Sequence, residues 1–490
     1  MNSQDGFDPR PYIFYGSRKL SKVSDMSLIL FFLVTFSFSN LEAQAPQHTS
    51  RELAKKLYVS LTGTQPSAAE LNFLEPKIHA GQKAQAARDI IDQSAPINNG
   101  GAFYSVTIKD WATPKFNKQK TTLAPLNDGT ATIIGMIRDE RAFNTILYQD
   151  VMYKATGVTF KGGQLWYFDT VYPVIAGVTP STLCGGLGLT PGQFKIIYAV
   201  PGSSAKACQR TKFTQTQLVA ARDIDALYVP HKDLIIETNL VATTNRHYES
   251  ISEQGLDLSD RQLLVSQSQG SKLHTSPSAI AGLLSSRAYG SAYFFAGTNR
   301  APVAYAMEHF LCKDMEELND TTIEDNRNRR DVDRSPGGSS TLYKNRCVGC
   351  HAGMDAMAGA FAYYDYLNGK VTYTPGNVVT KMNHNALFSA GYVTGNDSWI
   401  NYWRVGQNAA LGWSRDVTEG IGATSFGRML ADTEAFHSCM AKQAYEKVCM
   451  KKASANEDIA RVARLTAAYK NSNFNMKSLF INAAIECLED

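Results

Sequence analysis

The chain has 490 residues, 44% of them hydrophobic and 19% charged, with 49 Lys and Arg against 45 Asp and Glu. That length allows about three domains or subdomains at roughly 150 residues each, with a core that needs no cross-links to make up for small size. A net charge of +4 excludes a nucleic-acid binder built on a basic field, and no low-complexity tract is long enough for a fibrous or largely disordered chain.

The first informative segment is the apolar run Ser27–Phe38, preceded by Arg18, Lys19 and Lys22 and followed by Leu41–Ala45. A basic stretch, a short apolar stretch and small residues make a secretory signal. A membrane-crossing helix needs ~20 apolar residues, so this run is too short for one. Cutting after Ala45 would leave Pro46 at the new terminus, so cleavage is expected after Ala43 and the signal covers 1–43. The mature chain is then expected in the periplasm, the cell envelope or at the outer surface, with no membrane span.

Residues 44–155 read as a helical module. Leu53, Leu57 and Leu61 recur every four residues up to Gly63, and Ser67 with Glu70 forms a capping box after Pro66. Gln82–Asp92 suggests a third helix, and Ile133, Ile134 and Ile137 lie on one stripe after a turn at Asn127–Gly129. Composition changes at Thr156. Residues 156–275 read as a Gly- and Tyr-rich insertion and its connection, with short β-branched runs such as Lys195–Val200. The Gly185–Gly188 run lacks a strand-to-helix frame, so a turn is expected there, not a dinucleotide loop.

A module over 276–420 begins with helical patterns at Ala281–Arg287 and Pro302–Leu311. The polar stretch Asn319–Gly338 lacks the order of a calcium loop and reads as a solvated linker. Residues 421–490 form a C-terminal helical module, with patterns at Ser425–Phe436, a capping box Ser454/Glu457 and a last helix from Asn475. The fold class expected is mainly α, a helical multi-module protein with a small β-containing insertion.

The motif that carries chemistry is Cys347-Val348-Gly349-Cys350-His351, the pattern for covalent attachment of a c-type haem. Two thiols three residues apart can reach both vinyl groups along one porphyrin edge, and the next residue offers an imidazole to the iron. A zinc site would need a second Cys or His pair at ligand spacing, and a thioredoxin-like pair would need a βαβ setting. Small residues follow the motif (Ala352, Gly353, Ala356, Ala358, Gly359, Ala360), which would let a flat macrocycle approach the backbone. His351 is the expected proximal ligand. For the opposite haem face Met382 is the first candidate and His384 the second, with another residue or an open site as the alternatives. Tyr363, Tyr364, Tyr366 and Tyr373, with a turn at Pro375-Gly376, would wall that side. Met354, Met357, Met429 and Met440 read as core.

The other six cysteines can pair in an oxidising compartment. Local pairs Cys184–Cys208 and Cys439–Cys449 are expected, with Cys312 and Cys487 paired or free.

Several segments together resemble a family. Asn299–Val303 through Phe310–Cys312, Arg346–Asp355 and Phe361–Asp365 are similar to the haem module of planctomycete-type multidomain c-type cytochromes. Leu57–Gly63 with Pro66, and Ala435–Cys439 with Asn475–Leu479, resemble the modules those proteins carry on either side. Residues 156–230 have no counterpart, and Ala356 stands where the family places a proline near Asp355. The resemblance implies an exported haem protein with extra helical modules, matured by periplasmic haem-attachment machinery.

The function expected is electron transfer to a redox partner protein. The alternatives are an open-site haem enzyme of peroxidase or oxidase type, or an envelope- or polysaccharide-binding protein with a redox module. No catalytic triad, paired carboxylate or phosphate loop can be assembled from the chain order, so whether the protein is a catalyst stays open, an electron carrier being the leading reading.

Overall fold

Caps and apolar spacing decide where the helices begin and end. Thr49 and Glu52 form a capping box at the start of α1 (Ser50–Thr62), which closes on Gly63 at φ +68°. Left-handed φ is nearly free for glycine, so the residue stops the helix without strain. Ser67 and Glu70 repeat the device on α2 (Ala68–His79), and Tyr58 donates to the same Glu70 carboxylate at 2.9 Å. Leu57 and Leu61 are fully buried, as their spacing requires.

The computed structural model describes residues 48–156, 245–332 and 340–489, apart from 271–272, 275, 296, 368 and 415, together with four short strand backbones in between. After α1 and α2 come α3 (Lys83–Ile91), α4 (Lys109–Ala112) and α5 (Asp128–Arg138). Asn127 caps α5 through Thr130 N–H, so Asn127–Gly129 opens a helix where a free turn was expected. Strand β1 (Met152–Ala155) follows, then β2 (Gly163–Tyr167), β3 (Phe194–Ile196), β4 (Cys208–Arg210) and β5 (Leu227–His231). β2 pairs with β5 and β3 with β4, both antiparallel, so the insertion does contain strands. The chain returns through α6 (Arg246–Glu253) and β6 (Leu264–Gln267), which pairs antiparallel with β1.

Next come α7 (Arg287–Tyr293), α8 (Ala301–Leu311), α9 (Ser340–Arg346) and α10 (Val348–Ala358). The helix expected over Ala281–Arg287 starts only at Ser286, whose hydroxyl accepts from Tyr289 N–H; Gly282–Ser285 is a tighter 3₁₀ turn. A hairpin β7 (Tyr364–Leu367) and β8 (Lys370–Tyr373) precedes the paired strands β9 (Ser398–Ile400) and β10 (Glu419–Ile421). The chain ends in α11 (Gly422–Ala431), α12 (Glu434–Cys449), α13 (Asn456–Asn471) and α14 (Met476–Glu486). Thr433 caps α12 and breaks the expected Ser425–Phe436 helix in two. The fold is mainly helical with small antiparallel sheets.

One apolar core runs from Ala54 to Leu488 and includes residues of the N-terminal, central and C-terminal segments alike. Phe480 of α14 meets Phe103 edge-on at 5.7 Å, and Lys477 bridges Asp92 and Glu140 at 3.3 and 3.2 Å. Truncating one such buried leucine should cost about 2–5 kcal/mol.

The cysteines overturn one expectation. Cys439 and Cys449 lie on the same helix, α12, and at ~1.5 Å rise per residue their Cα atoms stand roughly 15 Å apart, beyond disulfide reach. Instead Cys312 pairs with Cys439 and Cys449 with Cys487, each at a Cα separation of 5.4 Å. The Cys184–Cys208 pairing lies outside what is described, since only the backbone of Cys208, in β4, is among the described residues. Cys347 and Cys350 are free thiols. Among the described residues no helix is long and apolar enough to cross a membrane.

Candidate functional site

Cys347 sits at the junction of α9 and α10, and its N–H closes on Tyr343 O at 2.8 Å. Cys350 and His351 follow in the first turn of α10. Positions i, i+3 and i+4 of a helix share a face, so both sulfurs and the imidazole emerge together. All three are partly exposed, the His351 side chain to 24%. Cys350 Sγ donates to Met315 O at 3.0 Å, and burial pushes its thiol up to about 11. It is therefore a protonated thiol at neutral pH, unlike the depressed thiols of dithiol oxidoreductases. Among the described residues no group of three or more His, Cys, Asp or Glu side chains stands in a metal-holding arrangement.

The small residues of α10 serve a different neighbour from the one expected. A Cβ on Gly353 would fall 2.2 Å from the Trp403 indole, and one on Gly359 would fall 2.0 Å from Ser398 O. Those positions are small because protein packs on them. Ala352, Ala358 and Ala360 are likewise fully buried in protein.

Behind the imidazole lies a buried ionic network. His351 Nδ1 is 3.2 Å from Asp355 Oδ1, one turn along the same helix. Arg300 holds the Asp355 carboxylate at two points, Nε to Oδ1 at 2.5 Å and Nη2 to Oδ2 at 3.0 Å. The backbone N–H of Arg329 adds a bond to Oδ2 at 2.8 Å. Burial pushes the Asp355 carboxyl up, but the Arg300 guanidinium and the His351 ring outweigh it and hold the group well below the carboxylate range. Asp355 thus stays ionised, and its Oδ1 is an acceptor placed for a proton on His351 Nδ1. The tautomer with its proton on Nδ1 would present the Nε2 lone pair to a ligand, the arrangement typical of metal-bound histidines.

Asp331 completes the network, 2.7 Å from Arg300 Nη2 and 3.2 Å from Arg329 Nε. Two guanidinium groups balance two carboxylates, and Asp331, Asp355 and Arg329 have no exposed side chain. Met382 and His384 join the same network. Met382 is fully buried, and its Sδ accepts from Arg329 Nη1 at 2.9 Å. His384 Nδ1 stands 3.7 Å from Asp331 Oδ2 and is half exposed. The fold therefore gathers the motif and both distal candidates around one set of charges, with Met382 facing Arg329.

Arg300, Arg329 and Asp331 were not singled out by sequence reasoning. The segment containing the last two, expected to be a solvated linker, carries its Arg329 and Asp331 into the interior. The one sequence signal was the pairing of signs in Arg329-Arg330-Asp331, opposite Arg300 and Asp355.

The residues fit a thioether-bound haem in three respects. Two unpaired thiols share a face with an imidazole whose Nδ1 is already engaged. Cys347 borders a small apolar cluster of Val332, Tyr343, Val348 and Phe388. The buried Tyr343 hydroxyl has no hydrogen-bond partner among the described residues, and its ring lies 6.0 Å from that of His351. Compared with protein-family models, curated proteins and solved structures, the chain matches none.

Proposed function

We propose that this chain is an exported c-type cytochrome that binds one haem through Cys347 and Cys350, with His351 as proximal ligand, and transfers electrons to a redox partner protein. The observation that carries the reading is the shared face of the two free thiols and His351, with the imidazole anchored on an ionised Asp355. A bound haem would supply a one-electron Fe(III)/Fe(II) couple. The chain's own part is to position the His351 ring against Asp355, to hold the Cys350 thiol protonated until attachment, and to surround the imidazole with buried charges of zero sum. The pairing of the four cysteines Cys312, Cys439, Cys449 and Cys487 supports an oxidising compartment, hence export. Met382 remains the first distal candidate. As a ligand its sulfur would give up Arg329, and the guanidinium would keep Thr298 O and Asp331 as partners.

A second reading, an open-site haem enzyme, is favoured by that same Met382–Arg329 contact together with the His351–Asp355 pair. An anionic partner makes the proximal imidazole a stronger donor, which suits oxidised iron with a free position. The spectrum of the matured protein separates the two. Low-spin iron that resists CO and cyanide supports the carrier, and high-spin iron that binds either supports the enzyme.

A further inference from the structure

The Cys312–Cys439 bridge differs in its surroundings from Cys449–Cys487. It lines a cleft of about 520 Å³ together with Leu311, Lys313, Leu411 and Ser438. Cys312, at the end of α8, is partly exposed, whereas Cys439 is buried. Gln443 stands one turn beyond Cys439 on α12, so the two share a face. Its Nε2 lies 3.1 Å from Cys439 Sγ, 3.4 Å from Cys312 Sγ and 2.8 Å from His309 O. A carbonyl oxygen only accepts, so the amide nitrogen must face this side and the sulfurs meet an N–H donor. The amide oxygen in turn accepts from Lys115 Nζ at 2.6 Å. Lys115 is buried, its ammonium 4.4 Å from the Trp111 ring centre, and burial alone pushes its pKa down to about 7.

We propose that Cys312–Cys439 is a redox-active disulfide that exchanges with a dithiol entering the cleft, with Gln443 and Lys115 stabilising the sulfur that leaves. The donor's first thiolate sulfur bonds Cys312 Sγ, the more exposed sulfur. The Cys312–Cys439 bond breaks, and its electron pair leaves on Cys439 Sγ, beside the Gln443 amide. The donor's second thiolate sulfur then bonds the first, and that pair of electrons leaves on Cys312 Sγ. Both protein sulfurs take up the protons the donor thiols gave up. One dithiol becomes a disulfide, and the protein bridge becomes two thiols. Exchange of this kind depends on access and on how well the leaving thiolate is stabilised. The Cys449–Cys487 bridge is an internal control: it too joins a partly exposed sulfur to a buried one, but its sulfurs meet Ala483 O, which cannot donate, where the first bridge meets the Gln443 amide.

The test is timed reduction of the full, haem-matured chain with dithiothreitol, followed by alkylation and peptide mass spectrometry. Cys312 and Cys439 should become alkylated at least about ten-fold sooner than Cys449 and Cys487, and oxidised dithiothreitol should re-form the bridge. In Gln443→Leu the first pair should slow about ten-fold while the control pair keeps its rate, as expected for loss of a hydrogen bond to a developing charge. Equal rates for the two bridges in the unaltered chain would overturn the proposal, whether or not the variant folds. An unchanged rate in a folded Gln443→Leu would overturn the role given to Gln443 and Lys115.

Discussion

Asp355→Asn is the substitution to which the site should be most sensitive. The carboxylate accepts at both oxygens: Oδ1 from Arg300 Nε and His351 Nδ1, and Oδ2 from Arg300 Nη2 and the Arg329 N–H. Asparagine keeps the shape but turns one oxygen into an amino group. In either orientation that group faces two donors, so two bonds to an anion are lost, at about 1.5–3 kcal/mol each. The substitution also leaves Arg300 and Arg329 opposite Asp331 alone, a buried excess of one positive charge. Breaking a buried pair on one side typically costs about 3–5 kcal/mol, and that is the total expected, since the two estimates describe the same loss. Urea unfolding at pH 7, followed by far-UV circular dichroism on the haem-matured chain, measures it. On that same protein the reduction potential should rise, because the proximal imidazole loses its anionic partner. A loss below about 1 kcal/mol with an unmoved potential would refute the claim that Asp355 anchors the network and the imidazole.

Replacing both Cys347 and Cys350 by alanine should abolish haem staining on a denaturing gel, and stain retained by that variant would remove the basis of the attachment site. Met382→Ala should open the iron to CO if Met382 is the distal ligand; a low-spin spectrum that survives Met382→Ala and is lost in His384→Ala would assign the ligand to His384. Non-reducing peptide maps should show Cys449 joined to Cys487, and Cys487→Ser should cost about 4 kcal/mol in the chain-entropy model for the observed separation of 38 residues. His247 and His309, each pushed down to about 3 by burial, stay neutral in the fold but take up protons when unfolded. Stability should therefore fall as pH drops below about 6.5, by up to roughly 2.7 kcal/mol per pH unit for the pair, and His309→Gln should halve that slope. A flat profile between pH 6 and 4 would contradict the neutral assignment.

Several local devices were readable in the sequence because their causes are local, whereas the capping box expected at Ser454 and Glu457 does not form, α13 starting after Ala455 without a side-chain cap. Gly63 ends α1, Ser67 with Glu70 opens α2, and Asn475 caps α14 at the places their residue types imply. The Cys347–His351 motif was readable for the same reason, since it lies within five consecutive residues. Tertiary pairing was not. Arg329 and Asp331 belong to a segment whose polarity suggests solvent, and only Arg300 and Asp355, distant in the chain, make their burial tolerable. Cys439 and Cys449 were expected to pair because they are near in sequence, yet helix α12 holds them apart and gives each a remote partner. The small residues after His351 have the right character for close approach, but what approaches is Trp403 and Ser398. In each case the missing information was which surface lies opposite.

The intact mass of the chain matured in a periplasm with haem-attachment machinery tests the central claim most directly. The account predicts an increase by the mass of one haem that survives denaturation and acid–acetone extraction, with Cys347 and Cys350 both resistant to alkylation. A chain of unmodified mass, with both cysteines freely alkylated under those conditions, would contradict it.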